Sequence, residues 1–273
     1  MAFVTRFAPS PTGYLHAGHA FSALTAWNAA QAAGGRLLLR IEDTDRGRCR
    51  PEYDAALRED LGWLGVAWDG PPWRQSEHMG DYQEPLDRLI AAGLVYRCFR
   101  TRREVLASIG DAPHGAEGIF FGAPLPGDDE AGRLARGEVY AWRLSTAAVR
   151  DRLAGRTLTF EDETGAVAVD IARLGDAVIA RKEFPASYHL ASVWDDARQG
   201  VTHVIRGEDL RDSAHLHVVL QTLLGLPTPA YRHHRLILGA DGKRLAKRDG
   251  AMALRALRAA GETPAGVRIR IGL

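Results

Sequence analysis

The apolar positions change period several times within the first forty residues. Residues 3–8 read as a strand. Pro9-Ser10-Pro11-Thr12-Gly13 cannot continue it, because the two prolines lack amide donors and Gly13 permits a tight turn. Residues 20–33 are alanine-rich, a good helix composition, and Gly34-Gly35 closes them. Residues 36–41 form a short apolar run, read as a buried strand. Strand, turn, helix, strand is a βαβ unit and predicts a parallel sheet.

Helices are predicted at 51–64, where Pro51 suits the first turn, and at 80–92, ending at Gly93. A short strand follows at 95–99, and Thr101 with Glu104 forms a capping box that opens a helix. Residues 110–137 are rich in Gly, Pro and acidic side chains with little periodicity, and read as an irregular region of an inserted subdomain. Strand-like pieces follow at 140–144, 158–161 and 166–171. Helix and strand alternate again from Tyr188: a helix through Asp196, a strand at 203–206, a helix at 213–224, a last strand at 235–238 and a helix near 251–260. The fold class expected is α/β, a Rossmann-type parallel-sheet nucleotide-binding core with an inserted α+β subdomain and a short helical C-terminal segment. The core is expected to span 1–96 and 187–240, with the insertion at 97–186 and a basic loop and tail at 241–273.

Composition changes this picture little. The chain is 46% hydrophobic and 25% charged, the balance of an ordinary globular protein. No apolar run approaches the roughly 20 residues of a membrane span. The first residues lack the basic and then apolar pattern of a secretory signal, so a cytoplasmic location is expected. Cys49 and Cys98 are isolated and read as free thiols. The formal charge is only +1, but residues 231–273 carry ten Lys/Arg against three Asp/Glu. A basic end on a neutral body fits one face that touches a phosphate backbone, or a solvated surface helix.

The segment from Arg6 to His19 carries the chemistry: a strand, a sharp turn and the His16-Ala17-Gly18-His19 sequence at the mouth of a helix. A helix N-terminus offers unpaired amides and a positive dipole end. Gly18 lets a flat group such as an adenine approach the backbone, and His16 and His19 can donate to phosphate oxygens. This segment resembles the signature of the glutamyl- and glutaminyl-tRNA synthetases, class I enzymes with a Rossmann-type core. His16 to His19 matches their HIGH motif. Asp241-Gly242-Lys243-Arg244-Leu245-Ala246-Lys247-Arg248 resembles their KMSKS loop, with Arg244 at the first lysine, Ala246 at the serine and Lys247 at the second lysine. A mobile lysine there can close over departing pyrophosphate.

The resemblance implies roles for individual residues. His16, His19 and Lys247 would act in catalysis, and Gly18, Asp209 and Arg244 would join them in holding ATP with its Mg²⁺. Glutamate has two carboxylates and one amine, so a selective site needs two cations and an anion. Arg6 and Arg206 are the expected cations, since an arginine fork binds a carboxylate through two bonds. Glu42 is the expected partner of the amine, and Ala8, Ser10 and Tyr188 the remaining contacts. Arg6, Glu42 and Arg206 lie at strand ends that would face one switch-point crevice. Ser192 stands where family members often have another side chain. Asp43, Asp45, Asp195 and Asp196 read mostly as salt-bridge partners.

Only 25 residues follow Arg248, too few for the anticodon-binding part of the longer glutamyl-tRNA synthetases. The resemblance is therefore closest to the glutamyl-Q tRNA(Asp) synthetases, a short branch. It implies activation of L-glutamate without tRNA and transfer to the queuosine base of tRNA(Asp), by a monomer. Transfer to another acceptor (a tRNA 3′ end, a carrier protein or a small molecule) and a non-catalytic RNA-binding module remain open alternatives. Many family members bind zinc in the insertion. Here Cys98 is the one remnant ligand, with Arg100, Phe120 and Pro124 at the other positions, so apolar packing without zinc is expected.

Overall fold

A computed structural model describes residues 2–45, 47–108, 119–182, 184–238 and 252–273. The chain opens with β1 (Val4–Phe7), α1 (Ala17–Ala32) and β2 (Arg36–Ile41). β1 and β2 pair in parallel with Val4 opposite Arg36 and Phe7 opposite Leu39, the βαβ unit expected from the pattern. α2 (Pro51–Trp63) starts on its proline, and β3 (Trp73–Arg74) adds a third parallel strand beside β2. A 3₁₀ turn at Met79–Tyr82 leads into α3 (Gln83–Ala91).

β4 (Val95–Cys98) runs through the boundary expected at 96–97. α4 (Arg102–Ser108) opens on the capping box: the Glu104 carboxylate accepts from the Thr101 amide at 2.7 Å, and the Thr101 hydroxyl accepts from the Glu104 amide at 3.3 Å. Two helices appear where none was expected. α5 (Gly127–Ala135) lies inside the region read as irregular, with Asp128, Asp129 and Glu130 at its positive end and Arg133 in its last turn. α6 (Thr146–Leu153) is capped by Ser145, whose hydroxyl accepts from Ala148. Between them β5 (Ala141–Leu144) pairs antiparallel with β4 and with β8 (Val178–Arg181). The hairpin of β6 (Thr159–Asp162) and β7 (Gly165–Ala168) precedes β8.

The core resumes with α7 (Tyr188–Arg198), β9 (His203–Gly207), α8 (Ser213–Leu224) and β10 (Ala230–His234). Gly225 ends α8 in the left-handed region at φ 66°. β10 pairs in parallel with β9, so the last strand among the described residues is 230–234 and not 235–238 as the apolar run suggested. Thr202 joins the two parallel pieces. Its amide donates to Val4 O, its hydroxyl accepts from the Val4 amide, and its carbonyl accepts from the Ala230 amide, each at 2.9 Å. The C-terminal ends of β1 and β9 therefore lie side by side. α9 (Leu254–Ala259) and α10 (Pro264–Ile271) close the chain.

Two apolar cores support this arrangement. One gathers α1, β2, α2 and the C-terminal helices, through Leu24, Leu39, Leu61, Leu254 and Val267. The other runs from the insertion into α7 and α8, through Leu144, Val149, Ile179, Leu190 and Leu220. Burying each such side chain contributes about 1.5–3 kcal/mol. The sheet of β4, β5 and β8 is thus braced by the helix that carries Tyr188.

Candidate active site

The turn after β1 ends in two histidines whose rings cap α1. His16 Nδ1 accepts from the Gly18 amide at 3.1 Å, and His19 Nδ1 accepts from the His16 amide at 3.2 Å. A ring nitrogen that accepts carries no proton, so each neutral imidazole holds its proton on Nε2. The helix N-terminus thereby presents two ring donors in addition to its dipole. Gly18 has a packing reason as well: a Cβ there would lie 3.1 Å from the His16 ring.

Arg6, near the end of β1, is 4% exposed. Its Nε donates to Asp196 Oδ1 at 2.9 Å, and Arg40 Nη1 donates to the same oxygen at 2.8 Å. Arg40 also reaches Gln199 Oε1 at 3.0 Å, and its Nε lies 3.4 Å from Glu42 Oε1. Burial disfavours the Asp196 charge, but Arg40 and Arg6 outweigh it and hold its pKa below the usual value. Glu42, just past β2, goes the other way. Burial pushes its carboxyl up to about 7 against the pull of Arg40 and Arg6. It therefore ionises near neutral pH and gains most from a cation brought beside it.

Arg206, on β9, is also 4% exposed but has no carboxylate within ion-pair distance among the described residues. Its Nε donates to His233 Nε2 at 3.3 Å, and its Nη1 to His217 Nδ1 at 3.2 Å. Nη2 is buried without a hydrogen-bond partner among the described residues. The Tyr231 ring covers the guanidinium at 5.2 Å, and the Tyr188 ring packs 5.6 Å from His217.

These pieces surround one cavity of about 310 Å³. Arg6, Ala8, Ser10, His16, Gly18, His19, Glu42, Tyr188, Arg206 and Asp209 all line it. Every expected site residue that is described thus faces the same space. Lys247 and Arg244 lie outside the described residues. The segment just past them is held at the cavity: Ala253 bridges to His16, and the Leu254 amide donates to Leu15 O at 2.8 Å. Ser192 is fully buried and does not line the cavity.

The catalytic-domain family of class I tRNA synthetases (E and Q) matches residues 2–114 and 141–269 of this chain. The chain belongs to that family. Among its curated relatives, a glutamyl-Q tRNA(Asp) synthetase of Rhodobacter capsulatus is 48% identical over 99% of this chain and 100% of its own. A protein of the same name from Symbiobacterium thermophilum is 42% identical over 95% of this chain and 82% of its own. A glutamate tRNA ligase from Elizabethkingia meningosepticum, solved with its amino acid, superposes with a TM-score of 0.76 at 32% identity. That match covers 92% of this chain and 53% of that one. A methionyl-tRNA synthetase of Mycobacterium tuberculosis matches at a TM-score of 0.60 and 13% identity, a likeness of fold alone.

Of the four zinc-like positions, Arg100 and Pro124 are exposed and Cys98 and Phe120 are buried. Cys98 and Phe120 are buried with Tyr96 and Val105 in a small apolar cluster, and a single thiol does not fit a tetrahedral zinc site. Asp162, Glu163 and His233 bring ligand atoms within 4.8 Å of one another. Arg211 already binds both carboxylates, and His233 keeps its proton on Nδ1 because Nε2 accepts from Arg206. That chemistry suits an ion-pair network and not a cation site. No helix among the described residues is long and apolar enough to cross a membrane.

The sequence reading missed Arg40, His189, His217 and His233. Arg40 is fully buried inside an apolar strand, and a charge in such a run was a signal that it holds a partner. The aspartates behave as salt-bridge partners: Asp43 binds Arg74 and Ser76, Asp45 binds Arg48, and Asp196 binds Arg6 and Arg40. Asp195 instead accepts from Gln75 and Tyr82.

Proposed function

We propose that this chain activates L-glutamate with ATP and transfers it to the queuosine base of tRNA(Asp). The observation that carries the reading is the convergence of Arg6, Arg206 and Glu42 with the His16–His19 helix mouth on one cavity. Two cations match the two carboxylates of glutamate, and the acid matches its amine. An α-carboxylate oxygen attacks the α-phosphorus of ATP, the bond to the β-phosphate breaks, and pyrophosphate leaves. The Nε2–H groups of His16 and His19 stabilise charge on the α-phosphate, while Lys247 and Arg244 neutralise the leaving group. Asp209 and Gly18 complete the nucleotide side, and Mg²⁺ accompanies the ATP. A ring hydroxyl of queuosine then takes the glutamyl group and AMP departs. Orientation and charge stabilisation supply most of the rate.

The relatives named glutamyl-Q tRNA(Asp) synthetase support this acceptor, because the likeness to one of them spans both chains nearly end to end. The basic tail, with Arg255, Arg258, Arg268 and Arg270, supplies positive charge for the RNA. The reading takes the protein as a cytoplasmic monomer without zinc. Labelled glutamate offered with ATP should enter queuosine-containing tRNA(Asp) and not queuosine-free tRNA(Asp). Equal transfer to both would move the acceptor to another position.

A further inference from the structure

Arginine can only donate, so each nitrogen that Arg206 contacts must offer a lone pair. His217 Nδ1 accepts from Arg206, which places the His217 proton on Nε2. That nitrogen lies 3.1 Å from His189 Nδ1 and donates to it, which places the His189 proton on its own Nε2. On the other side His233 accepts through Nε2 and holds its proton on Nδ1, 3.8 Å from Glu163 Oε2. The hydrogen bonds thus fix one tautomer for each of the three rings.

We infer that His217 and His233, with His189 behind His217, are positioning residues that aim the Arg206 guanidinium at a substrate carboxylate while leaving its charge whole. The inference rests on the glutamate-activating reading given above. Burial and the Arg206 charge hold His189 and His233 at about 4 and His217 well below its ordinary value, so all three stay neutral at pH 7. An acidic residue in the place of His217 would orient Arg206 equally well but would cancel its charge. A cancelled cation could no longer separate a carboxylate from an amide of the same shape. The imidazoles therefore set the preference for glutamate over glutamine, and Arg206 Nη2, buried and unpartnered among the described residues, is left for the substrate oxygen.

Three variants of the full-length chain separate the parts of this assignment. His217→Asn keeps an acceptor near Nδ1, His217→Asp adds charge at almost the same shape, and His217→Leu removes the acceptor. The readouts are KM and kcat for glutamate, glutamine and ATP in ATP–pyrophosphate exchange, with calorimetric titration of L-glutamate alongside. His217→Asn should bind glutamate within about threefold of the wild type, and His217→Leu about tenfold more weakly or worse with KM for ATP unchanged. His217→Asp should lower the preference for glutamate over glutamine by about tenfold or more relative to His217→Asn. Because the last two are nearly isosteric, their comparison decides the matter even if His217→Leu does not fold. Equal preference in the Asn and Asp variants would overturn the inference, as would parallel losses in both KM values and in thermal stability. Glutamate that binds the wild type without exchange would defeat the activation reading alone.

Discussion

Arg6 and Arg206 face one cavity from neighbouring strand ends and are held in opposite ways. Arg6 shares the ionised Asp196 with the fully buried Arg40. Arg206 rests on two neutral imidazoles and has no acidic partner within ion-pair distance among the described residues. Both cations are equally buried, so burial alone does not determine how much charge a side chain offers a ligand. The first arrangement ties two strands and a helix together, and Asp196 compensates part of its charge. The second compensates nothing and is the stronger anchor for an anion.

Asp196→Asn should break the first arrangement with the largest effect. It leaves Arg6 and Arg40 buried beside a neutral group, which costs about 3–5 kcal/mol. A lowered midpoint of denaturant unfolding would report it. The cause is the ionised carboxylate, so the wild type should also lose this stabilisation in acid. Asp196 has a lowered folded pKa, and its contribution is present above the unfolded value and lost as the pH falls through the folded one. Arg206→Ala should break the second arrangement with a smaller loss of stability, about 1–3 kcal/mol, because it leaves the His217 and His233 acceptors unpaired but no buried counter-charge behind. Its kcat/KM for glutamate should fall by a factor of about 10²–10³, while KM for ATP holds.

How far these arrangements could be read from the sequence differs along the chain. The βαβ opening was legible because alanine, glycine and proline punctuate it, and α8 because its apolar run ends on Gly225. β10 was not legible. Its buried positions are Tyr231 and His233, polar side chains that serve Arg206, whereas the apolar residues 236–238 lie beyond the strand. α5 was hidden by its Gly127 start and its acidic first turn, which look like loop composition but suit a helix N-terminus. Within the site, motif residues such as Arg6, Glu42 and Arg206 could be named from the chain. The residues that orient them could not, because Asp196 meets Arg6 only across the fold and His217 meets Arg206 only once α8 packs back on β9.

Glu42 sharpens the comparison, because it touches the first arrangement but ionises near neutrality. Its folded pKa of about 7 lies above the ordinary 4.5, so the folded state keeps its proton longer than the unfolded one. Stability should therefore fall as the pH rises between these two values, and Glu42→Gln should remove that slope. Glutamate binding should run the opposite way, because the substrate amine needs the carboxylate. KM for glutamate in the wild type should drop roughly tenfold between pH 6 and pH 8, and a flat profile would remove Glu42 from the amine site. The smallest effect is expected outside the glutamate end. Gly18→Ala should push the His16 ring aside and lower kcat about tenfold with KM for glutamate unchanged.

The central claim is that this cavity joins glutamate to the α-phosphate of ATP. Glutamate-dependent ATP–pyrophosphate exchange with no tRNA present tests it most directly, run beside Lys247→Ala. The account predicts robust exchange with L-glutamate, weak exchange with L-glutamine, and loss in the variant. Exchange that appears only when tRNA is added would contradict the tRNA-independent mode, and no exchange under either condition would contradict activation itself.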